Sequence, residues 1–208
     1  MVWGFKLLEN SFFVESERKI KNPVWKIFLL VLVIFVFSAF YGYFNGGRFQ
    51  LIVETLKKIY WVETLKANPF LLMVFIFSNN AFKSFMVIPL GVFLTLPPII
   101  FIVFNGFVVG LMAYEAVKRL GELGFIYFAA AILPHGVFEL PAVFLSAALG
   151  IRVGLAVIAR FRGENGVFLA WRDGLKTYFS RVLPILFIAA IIEAFITPKI
   201  LQILFFTE

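Results

Sequence analysis

The side chains best suited to chemistry in this chain belong to one histidine and two glutamates. His135 is the only histidine among 208 residues, and Glu139 follows it four residues later. On one helix, both side chains project from the same face, where an imidazole and a carboxylate can share a proton or bind a divalent cation. Glu193 lies in a separate apolar stretch and could add a second carboxylate. The expected chemistry is therefore proton handling or cation binding.

These ionisable residues lie within segments that are too apolar for a protein that is soluble in water. The chain is 62% hydrophobic and 15% charged and contains 29 phenylalanines, whereas average soluble domains carry about a quarter charged residues. A soluble domain of this size could not hide those side chains and still present a polar surface. Ionisable groups within membrane helices are costly and usually functional. The composition therefore predicts an all-α, polytopic membrane helix bundle with a buried polar centre.

The net charge of +7 does not indicate a nucleic-acid partner. The basic residues form no stripe with interleaved aromatic side chains and lie mostly at the ends of apolar segments, where the positive-inside rule places them. The partner predicted by this pattern is the lipid bilayer. The chain has no cysteine, which excludes disulfides and thiolate chemistry.

About five apolar segments are long enough to cross a membrane. They are Pro23–Phe44, Phe70–Leu96, Ile99–Val117, Phe125–Gly150 and Val182–Phe206. The first is expected to be an uncleaved anchor, because it makes a helix about 33 Å long and no small-residue cleavage site follows it. The second either spans the membrane or re-enters it on the same side, and the sequence leaves both arrangements open.

The sequence also predicts a division of the chain and an orientation in the membrane. Residues 1–66 contain the anchor and an amphipathic segment, Arg48–Lys66, which either lies at the membrane interface or packs on the other spans. Residues 67–208 form the membrane core. With the N-terminus inside, eleven Lys and Arg residues fall on inner segments and seven on outer ones. This excess favours a cytoplasmic-membrane protein with its N-terminus inside and its C-terminus outside.

Two spans contain features that predict breaks in their helices. The polar group Ser78-Asn79-Asn80 interrupts the second span, with Lys83 close behind it. Pro134 and Pro141 lie in the fourth span, and proline lacks an N–H and disfavours helical geometry at the residue before it. We therefore expect broken helices near Asn79-Asn80 and near Pro134, and Pro198 is a candidate kink in the fifth span.

The polar centre is expected to collect residues from several spans into one pocket. The candidate ion or proton site comprises His135, Glu139, Glu193, Asn79, Asn80 and Asn105. A bound metal would take the histidine and the two glutamates as ligands. Gly106 and Gly110, four residues apart, would let the third span approach a neighbouring helix closely. The alternative for the polar residues is a hydrogen-bonded network that only joins helices.

Several stretches resemble the stage II sporulation protein M family. The matching segments, in order, are Ser78-Asn79-Asn80, Asn105–Gly110, Leu133–Ala142 and Ile192–Pro198. Their order and spacing agree from about Asn68 to Pro198, and the run that contains His135 and Glu139 is the most specific. The resemblance implies a polytopic helical protein of the cytoplasmic membrane. In endospore formers it implies a scaffold that works with peptidoglycan-degrading partners, but the family also includes archaea without that cell wall, so sporulation does not transfer.

Two functional hypotheses follow from these residues. The first is transport coupled to a proton or a divalent cation at the polar centre. The second is a scaffold that assembles envelope proteins or copies of itself, with the same residues holding helices together. Transport requires a polar path to the centre, whereas a scaffold leaves it dry. Intramembrane metal-dependent hydrolysis is the weakest hypothesis, and the protein is more simply explained as a non-enzyme.

Overall fold

The chain folds into helices throughout the part that can be described. The computed structural model describes residues 23–60 and 68–205. Over these residues the helices are α1 (Val24–Asn45), α2 (Gln50–Tyr60), α3 (Pro69–Met86), α4 (Leu96–Leu120), α5 (Leu123–Arg160), α6 (Val167–Thr177), α7 (Leu183–Ile191) and α8 (Thr197–Phe205). Short 3₁₀ turns cover Gly46–Phe49 and Pro89–Val92. The same residues contain no β-strand, so the predicted all-α class is confirmed.

Five helical runs are long and apolar enough to cross a membrane, which confirms the predicted number of spans. They are Val24–Thr55, Pro69–Val92, Leu96–Leu120, Leu123–Arg160 and Val167–Phe205. Helices of this kind satisfy every backbone hydrogen bond internally, as lipid requires. The charged residues before Pro23 and the end of the predicted amphipathic segment, after Tyr60, lie outside the described residues. The division of the chain at residue 66 stays a prediction.

The long helix α5 forms the centre of the bundle. It has 38 residues and is therefore about 57 Å long, well beyond the roughly 30 Å hydrocarbon core. It contacts α1, α3, α4, α6, α7 and α8. Its second half is rich in small buried residues, among them Ala147, Ala148 and Gly150. Small side chains let neighbouring backbones approach, and that close packing joins helices in lipid.

Aromatic contacts show which helix ends lie together. The rings of Tyr43, at the end of α1, and Phe125, at the start of α5, are 5.6 Å apart. The rings of Tyr127 and Phe205, the last residue of α8, are 5.2 Å apart. The ends of α1 and α8 therefore lie beside the start of α5. Tyrosine is enriched at membrane interfaces, which marks this end as one boundary of the bilayer.

The two glycines of α4 lie directly against α1. A Cβ atom at Gly106 would overlap the carbonyl oxygen of Phe35, and one at Gly110 would overlap that of Ala39. Gly42 of α1 meets the carbonyl oxygen of Phe107 in the same way. The two helices thus touch backbone to backbone along this seam.

Both predicted helix breaks are wrong. Helix α3 continues through Asn79 and Asn80, and α5 continues through Pro134 and Pro141. A proline inside a helix costs about 3 kcal/mol, but opening the helix would leave several backbone groups unsatisfied in an apolar surrounding, at several kcal/mol each. Asparagine is only a mildly poor helix former. In both helices the continuous backbone therefore has the lower free energy.

The irregular backbone lies in the last span instead, where two π-helical turns occur. They cover Tyr178–Val182 and Ile192–Ile196, and each ends two residues before a proline, Pro184 or Pro198. The N–H of the residue before each proline bonds to the carbonyl five residues back: Leu183 to Tyr178, and Thr197 to Ile192. A wider turn moves backbone carbonyls away from the proline ring, which would otherwise clash with them.

Replacing Tyr178 by phenylalanine should lower the stability of the fold by about 1 kcal/mol. The Tyr178 hydroxyl is buried and donates to the carbonyl oxygen of Ala81 at 2.8 Å, tying the first π turn to α3. The loss would appear as a lower unfolding midpoint in detergent micelles. Tyr127→Phe is the control, because its hydroxyl makes no hydrogen bond to the described residues; equal stability of the two variants would contradict the assignment.

Candidate functional site

His135, Glu139 and Glu193 converge between α5 and the last span. The Nε2 atom of His135 is 4.0 Å from the Oε2 atom of Glu139 and 4.0 Å from that of Glu193. One ligand atom from each of the three residues lies within 4.8 Å of the others. His135 and Glu139 are one turn apart on α5, and Glu193 comes from a different helical run. Three groups that carry lone pairs therefore face one another.

The second π turn presents Glu193 to α5. Glu193 is the second residue of the Ile192–Ile196 turn, whose extra residue per turn rotates the side chains relative to an ideal helix. Such turns are rare and occur frequently at functional sites. Pro198 accounts for the turn locally, as described above. The residue between the turn and the proline, Thr197, is buried and takes part in the site.

Thr197 lies beside the Nδ1 atom of the His135 ring. The Thr197 hydroxyl donates to the carbonyl oxygen of Ile192 at 3.3 Å, and its oxygen lies 3.4 Å from Nδ1 of His135. With the hydroxyl proton on Ile192, the oxygen can accept from an Nδ1–H group, and this tautomer is an assignment from the network. In that tautomer the Nε2 atom carries a lone pair on the side of the two carboxylates.

Two asparagines hold the outer side of Glu139. The Asn80 amide nitrogen donates to Oε1 of Glu139 at 2.8 Å, and that of Asn79 donates to Oδ1 of Asn80 at 3.2 Å. Both residues lie on α3, so this relay links a third helical run to the centre. It satisfies one oxygen of Glu139 and leaves the other, Oε2, turned toward His135.

Asn105 makes no hydrogen bond to this group. Its amide nitrogen donates to the carbonyl oxygen of Phe101, one turn back on α4, at 2.7 Å. This is a local bond within one helix, and it satisfies the amide without help from the centre. The structure thus unites five of the six predicted polar residues and leaves Asn105 on its own helix.

Lys83 lies one turn beyond Asn80 on α3 and is exposed. Its ammonium group interacts electrostatically with Glu139, but it forms no ion pair within 4.0 Å among the described residues. A long lysine side chain on the outside of a membrane helix can extend toward the interface. Lys83 is therefore a neighbour of the centre rather than one of its members.

The centre is partly buried in the bundle, and its position along α5 indicates a depth near the middle of the membrane. The exposed fractions of the His135, Glu139 and Glu193 side chains are 13%, 21% and 32%. His135 is twelve residues from the start of α5, or about 18 Å along the helix axis. That start lies at the tyrosine-rich boundary, and the hydrocarbon core is about 30 Å thick. Charged groups at this depth need a partner of opposite sign.

Thr197 and the π turn were missed by sequence reasoning, although a signal was present. Thr197 follows Glu193 by four residues and directly precedes Pro198. A threonine and a carboxylate one turn apart before a proline are worth examining as a site, because proline disturbs the hydrogen bonds of that turn.

Comparison with known proteins places the chain in one family. A relative from Methanocaldococcus jannaschii, "Uncharacterized protein MJ0706", is 28% identical over 212 residues, covering 92% of this chain and 91% of its own length. A second from the same organism, "Uncharacterized protein MJ0793", is 29% identical over 177 residues, covering 83% of this chain and 94% of its own length. No solved structure matches the chain. The model of the family "Stage II sporulation protein M" matches residues 15–198. The predicted resemblance is thus confirmed, and the chain belongs to the stage II sporulation protein M family.

Proposed function

We propose that this membrane protein binds a cation, either a proton or a divalent metal ion, at His135, Glu139 and Glu193 and couples that binding to transport. The observation that carries the proposal is the convergence of one imidazole nitrogen and two carboxylate oxygens within one membrane helix bundle. All three atoms can offer lone pairs, so a cation between them would stabilise the arrangement. Intramembrane ionisable groups of this kind mark proton relays and ion pathways in transporters.

The pattern of satisfied and unsatisfied atoms favours cation binding over structural support. The outward atoms of the group have partners, because Asn80 bonds to Glu139 and Thr197 bonds to His135. The inward atoms are 4.0 Å apart, which is too long for a hydrogen bond. A network that only joined helices would bring donors and acceptors into direct contact there. The bonds from Asn80 and Thr197 instead orient Glu139 and His135 so that their inward atoms surround a common point with Glu193.

We propose that a polar path runs between α3 and α5, which would favour transport over a scaffold. The two helices touch at two levels, where Asn80 bonds to Glu139 and where the Val87 backbone lies against Gly150. Ser84 and Ser146 lie on these helices between the two levels, with exposed fractions of 1% and 0%. Neither hydroxyl has a hydrogen-bond partner among the described residues. Buried hydroxyls without a protein partner are commonly satisfied by ordered water, and water at these two positions would extend the proposed path away from the centre.

The path leads toward the basic end of the bundle. Arg152 lies half a turn beyond Gly150, and its Nε atom is also buried without a hydrogen-bond partner among the described residues. Arg160 ends α5, and Lys176 lies near the end of α6. From the positive-inside rule we propose that this end faces the cytoplasm, with the N-terminus inside and the protein in the cytoplasmic membrane. The centre would therefore open to the cytoplasmic side.

Flux measurements on the reconstituted wild-type protein test the proposal. Sealed liposomes containing the protein would be given an outward or inward gradient of protons or of a divalent cation, with a pH-sensitive or metal-sensitive dye inside. The expected result is a dye response above that of protein-free liposomes for at least one of these ions. A response at the protein-free level for all of them, across pH, would contradict transport and support a scaffold.

Asn80→Leu should weaken ion binding by roughly 10- to 100-fold, as loss of a group that orients a ligand does in metal sites. The substitution removes the donor to Oε1 of Glu139 and leaves the three proposed ligands in place. Asn105→Leu is the matched control, since it deletes the same amide from a membrane helix but removes only a local bond to Phe101. Equal ion affinity in the two variants would contradict a role for Asn80.

A further inference from the structure

The donor atoms at the centre suggest which kind of cation it takes. Resting on the proposed cation site, we infer that the ion is a divalent first-row transition metal such as Zn²⁺ or Mn²⁺, held by Nε2 of His135 and one carboxylate oxygen each from Glu139 and Glu193. This is a metal site of three protein ligands. It deepens the proposed function by naming the substrate class.

The chemistry of the ligands favours a transition metal over Mg²⁺ or Ca²⁺. Magnesium and calcium prefer oxygen ligands, calcium takes six to eight of them, and magnesium keeps most of its water. A neutral imidazole nitrogen suits zinc, iron and similar ions instead. The number of protein ligands, three, is that of catalytic zinc sites, which keep a fourth position open. An open position suits an ion that has to leave again.

Charge is compatible with a divalent ion. Two carboxylates and one dication form a neutral group, so the metal would leave no net charge among the three ligands. A net charge at mid-membrane is strongly disfavoured.

The geometry needs only a small contraction to hold such an ion. Ligand atoms bonded at about 2.0–2.1 Å in a tetrahedron lie roughly 3.3 Å from one another. The present separations are 4.0 Å from Nε2 to each carboxylate oxygen, and no pair exceeds 4.8 Å. The separations must therefore shorten by about 0.7 to 1.5 Å. Glutamate side chains have three rotatable bonds, so rotation of Glu139 and Glu193 can supply this change without moving a helix.

The hydrogen bonds around the proposed ligands are those expected around a metal site. Metal-bound histidine almost always donates its other ring N–H to an oxygen, and metal-bound carboxylates are themselves hydrogen-bonded. Both features are present: Nδ1 of His135 lies 3.4 Å from the Thr197 hydroxyl, and Asn80 donates to Glu139. These contacts leave Nε2 of His135 and Oε2 of Glu139 free to bind a metal ion.

Cobalt binding to the purified full-length protein tests this inference. The wild-type protein in nanodiscs would be stripped with a chelator and titrated with Co²⁺, whose visible d–d absorption reports coordination by nitrogen and oxygen ligands. We expect about one Co²⁺ per chain, displaced by Zn²⁺ and retained in a hundredfold excess of Mg²⁺ or Ca²⁺. Equal competition by Mg²⁺ or Ca²⁺ would overturn the inference.

Variants locate the site and separate this inference from the proposed function. His135→Ala should abolish the absorption band, and Thr197→Val should weaken Co²⁺ binding about tenfold or more. Because Thr197→Val keeps all three ligands, it tests the site even if His135→Ala fails to fold. Thr177→Val is the matched control, since that hydroxyl bonds only to the Asp173 carbonyl on its own helix. Full Co²⁺ binding by His135→Ala, or equal weakening in both threonine variants, would overturn the assignment.

The liposome flux assay then distinguishes failure of the transition-metal inference from failure of the proposed function. Proton flux without any metal binding by the wild-type protein would refute the transition-metal inference and leave the proposed function standing. Absence of both metal binding and flux would refute both.

Discussion

Glu193→Gln is expected to abolish ion binding and ion-coupled flux while leaving the protein folded. The amide keeps the shape and most of the hydrogen-bonding capacity of the carboxylate but removes its charge. Because Glu193 is a proposed direct ligand, the loss of affinity should exceed the roughly 10- to 100-fold caused by losing an orienting group. The dye response in liposomes should fall to the protein-free level. Helical circular dichroism and the elution volume in detergent should remain those of the wild type.

Two further variants make this expectation specific. Glu122→Gln is the matched control, because it neutralises an exposed glutamate at the start of α5, outside the centre; its flux should equal that of the wild type. Glu193→Leu should abolish flux as well, because it removes both the charge and the ligand oxygens of Glu193. If the centre is only structural, Glu193→Gln will be silent in every ion assay while Glu193→Leu unfolds.

Gly110→Ala should destabilise the bundle by about 3 kcal/mol, the upper end of the range for overpacked sites. The added Cβ atom would overlap the carbonyl oxygen of Ala39 in α1, and a backbone atom cannot rotate away as a flexible side chain can. The two helices would have to separate along the whole seam. The measurement is the free energy of unfolding in micelles, or the loss of folded protein on purification if the effect is larger.

Gly136→Ala is the control for that result. It makes the same change inside a long membrane helix, but the nearest contact of the new Cβ is the Ile132 side chain at 3.1 Å, which can adjust. Both substitutions gain up to about 1 kcal/mol of helix propensity. Gly136→Ala should therefore be near neutral in stability. A Gly110→Ala protein as stable as Gly136→Ala would contradict the close approach of α4 to α1.

The features that follow from average composition could be predicted from the sequence. The all-α class and the five spans depend on the length of the apolar segments. A segment of about 20 apolar residues crosses the hydrocarbon core as an α-helix, because the helix satisfies its backbone hydrogen bonds internally. The family could be recognised because residues such as His135 and Glu139 stand in an unusual run between two prolines. The same residues were candidates for the site because ionisable groups are rare in membrane spans.

The features that depend on tertiary contacts could not be predicted. Pro134 suggested a break because the conformational preferences of proline concern its immediate neighbours along the chain. Within the apolar bundle a continuous helix has the lower free energy, and α5 continues through Pro134. Asn105 was grouped with the other amides because sequence does not show whether an amide bonds to its own helix. The ring orientation of His135 depends on Thr197, 62 residues away, and on a π turn that only the folded last span reveals.

The central claim, that the glutamates of the centre bind a cation, is tested most directly by difference infrared spectroscopy. Spectra of the wild-type protein in lipid would be recorded before and after adding protons or a divalent metal ion. The account predicts changes in the carboxyl bands that disappear in part in Glu139→Gln and in Glu193→Gln, and that persist in Glu122→Gln. Carboxyl bands that do not respond to any of these cations across pH, or that respond equally in all three variants, would contradict the account.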